Sequence, residues 1–391
     1  MRASLAESRG PAAKGSTLLA GARRLLPPPQ MAFGQDRALS PGLTWHFWLG
    51  AACITLLVVV WRARQRYSAQ VQDLFQLYYG AKAWRIVGTA YDLAPVVPLA
   101  DHALPQFQAG NAYPLPAVLL TLPLSFFPAH VAGIIWLGSL TFGLLLALRL
   151  VGSRFWPAMP LYFPLADGLR LEQYTIFVVI VQLLALYAYR RGHGWMLAIC
   201  CALALTKPTQ GLCFALAMFA LTRDWRRFAL SIGGLWGLAF LVDPRWFFEW
   251  LMAIRQYDGA AQQPLFWAIG LLAIPLLGIG DYLGAAILAQ FIISPFPIGS
   301  AYAAGAVPLT VLDDARSRWL PILALPWILV AHFGVGPGWA TALLLVLPVV
   351  AIALLRRSGT RRPTVTDVRA ARGPRARTAA VSPLSVSLGN E

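Results

Sequence analysis

Apolar runs recur along most of the chain, and nothing else in the sequence restricts its fold so strongly. They fall at roughly 44–61, 113–128, 130–150, 172–189, 194–206, 208–222, 228–243, 265–280, 281–296, 301–313, 319–333 and 338–356. A helix needs about 20 apolar residues to cross the hydrocarbon core of a bilayer, so the longer runs read as membrane spans. The shorter runs, broken by Pro or Gly, read as half-helices or re-entrant pieces, which a membrane tolerates where protein or a water-filled cavity covers the loose backbone. The expected fold is an all-α polytopic membrane protein with roughly ten to thirteen transmembrane helices. Composition agrees: 58% of the 391 residues are hydrophobic and 12% charged, which excludes an ordinary soluble enzyme.

Charge then orients the chain. Lys and Arg number 32 against 16 Asp and Glu, a net +16, with much of the excess in the two tails and in short loops. That distribution is a topology signal rather than a nucleic-acid footprint. Arg190 and Arg191, then Arg223, Arg226 and Arg227, then Arg316 and Arg318, and the tail from Arg356 onward are separated by even numbers of runs, so all share the cytoplasm. Arg62, Arg64 and Arg66 run against this assignment, since it puts them outside. Three regions follow: a disordered cytoplasmic tail over 1–43, a transmembrane domain over 44–356 whose first extracytoplasmic loop is 62–112, and a disordered basic cytoplasmic tail over 357–391. Met31 offers a second start site, and the C-terminal arginines suit anionic membrane lipids.

The first loop is the largest hydrophilic insertion and opens with "QVQDLFQLYYGAKAWRIVGTAYD", residues 70–92. Leu74, Leu77, Tyr78 and Ala81 make one stripe, while Asp73, Gln76 and Gly80 share another face at spacings of three and four. The pattern predicts an amphipathic helix on the membrane surface that turns Asp73 toward a cavity. The loop ends at "NAYPLPAVLL", where Pro114 and Pro116 open the next span.

Carboxylates are few on the extracytoplasmic side of this arrangement: Asp73, Asp92, Asp101, Glu172, Asp243, Glu249 and Asp258. Cations there include Lys82, Arg85, His102, Lys207, Arg245, Arg255 and His332. One carboxylate among several cations suits a reaction that takes a proton from a hydroxyl and expels a phosphate. Lys207, in "LALTKPTQGL", is one of three lysines and interrupts an apolar stretch. A charge at such a place costs about 2.5 to 3.5 kcal/mol on insertion scales and so marks a functional candidate, against the plainer reading of a snorkelling residue at a turn. Arg245, in "DPRWFFEW", reads equally as a phosphate contact or an interfacial anchor beside Trp246. Asp313 and Asp314 sit with Arg316 and Arg318 as a cytoplasmic salt cluster. Cys53, Cys200, Cys201 and Cys213 lie inside apolar runs, and no spacing of His, Cys or acids makes a metal site.

Several motifs in order carry a resemblance: "DLFQLYYGAKAWRIVGTAYD", "AYPLPAVLLTLPLSFFP", "LEQYTIFVVIVQLLALYAYRRG" and "LALTKPT". Over about residues 70–225 the chain resembles bacterial family 87 of the glycosyltransferases, within the GT-C superfamily. That family is similar in an Asp followed by an aromatic pair, a Gly-x-x-Tyr-Asp, a Tyr-Pro-rich span start, a Gly-Gln-x-Asn helix opening and a Lys-Pro pair. The resemblance implies a GT-C-like helix bundle and an inverting transfer of a sugar, typically mannose, from a polyprenyl-phosphate donor to a lipid or glycan acceptor. It implies a site on the outer side of the bacterial cytoplasmic (inner) membrane, with no cofactor. By position it makes Asp73 the general base and Lys207, Gln173 and Tyr113 substrate-binding residues, with Arg245 a more speculative phosphate contact. Glu172 stands where Gly is usual and Thr175 where Asn is usual, and Leu115 between the prolines of the Tyr-Pro motif is a smaller departure.

The chemistry fits that role. A glycosyl phosphate leaves as a stable anion if cations or backbone donors receive it, so one carboxylate suffices where a glycoside hydrolase needs two. The competing readings are a transporter or flippase of lipid-linked sugars, which also favours broken helices and a buried Lys, and a non-catalytic lipid-binding scaffold. A transporter predicts repeat-related hydropathy between its halves, and the sequence carries no fixed-period repeat.

Overall fold

A computed structural model of the protein describes residues 44–64, 73–96, 111–152, 156, 162–256, 264–278 and 282–293. Both predicted tails, the three runs after 300, and Asp101, His102, Asp258, Asp313, Asp314 and His332 lie outside the described residues. The described residues are helical, with no strand among them.

The helices follow the apolar runs closely. They are α1 (Trp45–Arg64), α2 (Leu74–Val87), α3 (Leu115–Thr121), continued by a 3-10 turn over Leu122–Phe126, α4 (Ala129–Leu150), α5 (Phe163–Arg170) and α6 (Tyr174–Arg191). They continue as α7 (Gly194–Ala204), α8 (Pro208–Thr222), α9 (Trp225–Val242), α10 (Trp246–Gln256), α11 (Pro264–Leu271), α12 (Ala273–Gly278) and α13 (Tyr282–Ile293). Three of them, α1, α4 and α6, are long and apolar enough to cross a membrane. Others, including α7 with 11 residues and α8 with 15, are apolar but short.

Local chemistry sets the boundaries. Pro116 in the first turn of α3 and Pro208 at the start of α8 sit where a missing N–H costs nothing. Gly88 at φ 80 and Gly192 at φ 72 end α2 and α6 in the left-handed conformation that glycine adopts without strain. Asp224 caps α9 by accepting from the Arg227 N–H.

The core is centred on α6, where Tyr174, Ile176, Val178, Val179, Leu183 and Leu186 are buried between α4 and α7. Leu56 and Leu57 on α1 and Leu230 and Leu241 on α9 are by contrast at least 60% exposed, a surface suited to acyl chains rather than water.

The first-loop helix forms as the spacing predicts, but more of it is covered. Leu74, Leu77, Tyr78 and Ala81 are buried, and so are Phe75, Tyr79, Gly80 and Ala83, because α2 packs on α3, the 3-10 turn and α4. Asp73 is the residue just before the helix, and its φ −61 and ψ −30 continue the helical path. The α1 helix runs past the expected loop start at 62 to Arg64, and Arg62 is a buried side chain paired with Glu172. Its charge therefore does not mark a loop, which removes its conflict with the other basic clusters.

Candidate active site

Three chain breaks converge on one carboxylate. Asp73 precedes α2, Gln173 precedes α6 and Lys207 precedes α8. Backbone groups at a helix start are not used up by the helix and turn to side chains. The Asp73 N–H donates to Leu171 O at 3.1 Å, and the Tyr174 N–H donates back to Asp73 Oδ2 at 3.3 Å. The segment 171–174 thus grips Asp73 by its backbone and by its carboxylate.

Two side chains complete the grip. The Tyr113 hydroxyl donates to Asp73 Oδ2. Lys207 Nζ lies 3.6 Å from the same oxygen and donates to Tyr113 OH at 3.2 Å and Thr175 Oγ1 at 2.9 Å. The following proline keeps Lys207 out of the helical region, and it sits outside the helix at φ −124 and ψ 83. All contacts with the Asp73 carboxylate fall on Oδ2, and Oδ1 has none among the described residues. The side chains of Asp73 and Lys207 are 19% and 18% exposed, so both are reachable without being bathed in solvent.

Thr175 organises the next layer. Its hydroxyl accepts from Lys207 at 2.9 Å and from Gln210 Nε2 at 3.1 Å, and donates to Gln173 Oε1 at 3.3 Å. A hydroxyl offers one donor and two acceptor lone pairs, so Thr175 is saturated. Gln182 Nε2 donates to Gln210 O at 3.1 Å, and Tyr174 OH shares a hydrogen bond of 2.8 Å with Thr206 Oγ1.

Glu172 has φ 52. This left-handed conformation is easy for glycine and costs other residues about 1–2 kcal/mol. Three contacts hold it: Arg62 Nε donates to Glu172 Oε1, Trp136 Nε1 donates to Glu172 O at 3.0 Å, and the Glu172 N–H donates to Leu169 O at 3.1 Å.

Of the residues singled out in the sequence, Asp73, Tyr113, Gln173 and Lys207 come together. Arg245 is not brought into this network. It is exposed at the turn between α9 and α10, where its N–H donates to Asp243 Oδ1 at 2.9 Å. Near it, Thr89 Oγ1 donates to Glu249 Oε2 at 2.6 Å and Trp250 Nε1 to Ala112 O at 2.9 Å, fastening α10 to the segment that carries Tyr113. Burial, with Asp243 and Glu249 nearby, keeps the Tyr91 phenol protonated well above its ordinary range. Arg62, Trp136, Thr206, Gln182 and Gln210 were not singled out as site residues. For Gln182, Thr206 and Gln210 the available signal was an uncharged polar group inside an apolar run. Among the described residues no group of His, Cys, Asp and Glu is arranged to hold a metal.

Fold and site define a helical membrane protein with a single gripped carboxylate beside a lysine, at the meeting point of three helix starts. A family model, Glycosyltransferase family 87, matches residues 111–325, more than half of the chain. The chain belongs to glycosyltransferase family 87 and is a membrane glycosyltransferase, which sets the transporter and scaffold readings aside. Neither the curated proteins nor the solved structures gave a match. Tyr113, Gln173, Lys207 and Arg245 lie within the matched segment, and Asp73 lies before it.

Proposed function

We propose that the protein moves a sugar, mannose by its resemblance, from a polyprenyl-phosphate donor to a hydroxyl of a lipid or glycan acceptor. The reaction takes place on the extracytoplasmic side of a bacterial cytoplasmic membrane, which the chain crosses several times. Asp73 is the general base. The observation that carries this reading is the one-sided loading of its carboxylate: Oδ2 is held by Tyr113, Tyr174 and Lys207, and Oδ1 is left to accept a proton.

The acceptor O–H donates to Oδ1, and its oxygen attacks the anomeric carbon from the side opposite the phosphate. The new C–O bond forms as the glycosyl-phosphate bond breaks, which inverts the anomeric centre. The proton stays on Asp73, and the bonding pair leaves with polyprenyl phosphate, which departs as an anion without protonation. Lys207 places a cation beside the reacting carboxylate and reaches the leaving phosphate by exchanging one of its present acceptors. The Gln173 amide nitrogen has no hydrogen-bond partner among the described residues and is assigned to a substrate hydroxyl. Arg245, exposed and with no ion pair among the described residues, is assigned to the donor phosphate.

The test uses membranes carrying wild type, Asp73→Asn or Lys207→Ala at equal protein levels, with radiolabelled polyprenyl-phosphate mannose and native lipid extract. A positioned general base contributes about 10²- to 10⁴-fold, so Asp73→Asn is expected to lose at least about a hundredfold. Undiminished transfer by Asp73→Asn removes it from the chemistry. A wild type inert with this donor rejects the assigned sugar carrier.

A further inference from the structure

We propose that Arg62 and Glu172 are a positioning pair for the base: their buried ion pair holds residues 171–174 in the one backbone shape that grips Asp73. The inference rests on Asp73 being the base and adds two residues that touch no substrate.

The connection runs through bonded and hydrogen-bonded atoms. Glu172 is the central pinned residue of the grip, with its side chain on Arg62, its carbonyl on Trp136 and its N–H on Leu169 O. Its immediate neighbour Leu171 accepts the Asp73 N–H, and Tyr174 two residues on donates to the Asp73 carboxylate. Both charged side chains are almost fully buried, Arg62 at 2% and Glu172 at 0% exposure. Removing one member of an ion pair buried this deeply is strongly destabilising, because the other charge loses its counter-ion.

The surroundings are shaped around the pair. A Cβ on Gly133 of α4 would come within 3.2 Å of Arg62 Nη2 and 3.3 Å of Glu172 Oε2, so a glycine at that position leaves the guanidinium and carboxylate room to meet. Glu172 itself occupies a left-handed conformation at φ 52, where a glycine needs no external hold and any other residue does. The ion pair supplies that hold, and it ties α1 to a turn 110 residues away.

The experiment compares the full-length wild type with two double variants, Arg62→Met/Glu172→Gly and Arg62→Met/Glu172→Ala. Both remove the charges at 62 and 172 together, and they differ in whether residue 172 accepts the left-handed conformation without strain. Two readouts are taken: amide hydrogen exchange over residues 171–176, and kcat and KM for radiolabelled polyprenyl-phosphate mannose with native lipid extract. The Gly variant is expected to keep wild-type protection and a kcat within about threefold of wild type. The Ala variant is expected to exchange faster over 171–176 and to lose about tenfold or more in kcat with KM for the donor unchanged, roughly the effect of losing one charge-assisted hydrogen bond. Wild-type kcat and wild-type protection in the Ala variant overturn the proposal, as does a loss that lies in KM alone. Asp73→Asn run in parallel separates the two ideas. If it transfers normally the base assignment fails, while hydrogen exchange still decides whether the pair holds the turn.

Discussion

Tyr113 and Thr175 carry the clearest consequences for single side chains. Tyr113 donates to Asp73 and accepts from Lys207, so its hydroxyl links the two charged groups. Tyr113→Phe keeps the ring and removes that link. Kinetics of the variant are expected to show about a 10- to 100-fold lower kcat at normal protein levels, the worth of a hydrogen bond to a charged group. Thr175→Val keeps the shape and leaves Lys207 and Gln210 each short of an acceptor. An expected loss of about 1–3 kcal/mol is measurable as a lower unfolding temperature in detergent. At this scale the sequence showed Asp73 and Lys207 because a charge beside or within apolar runs is expensive and therefore conspicuous. Gln182 and Gln210 cost much less in such runs, and nothing in their spacing says which partner they face.

Helices and their junctions respond to volume. A Cβ on Gly211 of α8 would fall 1.9 Å from Ala204 O, the last carbonyl of α7, so the two helices approach as closely as a hydrogen atom allows. Gly211→Ala is expected to force the 205–207 junction open, destabilise the protein by about 1–3 kcal/mol and displace Lys207. Gly80 of α2 is similar: an added Cβ would lie 2.3 Å from Asn111 Nδ2. Gly233 of α9 meets nothing within 4 Å, so Gly233→Ala is the control, expected to stabilise by about 0.5–1 kcal/mol through helix propensity. A thermal series on the three variants checks both signs. Helix positions were legible in the sequence because hydropathy marks a segment without reference to its neighbours. The coverage of α2 was not, since Phe75, Tyr79 and Ala83 are buried by elements that come later in the chain.

For the whole molecule, the basic clusters predict which ends face which compartment. With Cys53, Cys200, Cys201 and Cys213 replaced, a cysteine at exposed Asp92 is expected to react with an impermeant maleimide on intact cells, and one at exposed His193 only after the membrane is opened. The reverse pattern inverts the assigned topology. Arg62 illustrates why charge counting alone misleads: in sequence it resembles a loop residue on the wrong side, whereas in the fold it is buried against a partner 110 positions away. The same partnership constrains how this chain changes over descent. A glutamate at position 172 without the arginine at 62, or the arginine without the glutamate, would be a buried lone charge, so the two substitutions are expected to arise together. Relatives with glutamate at 172 should then carry a cation at 62, whereas relatives that retain glycine at 172 should be free to lose it.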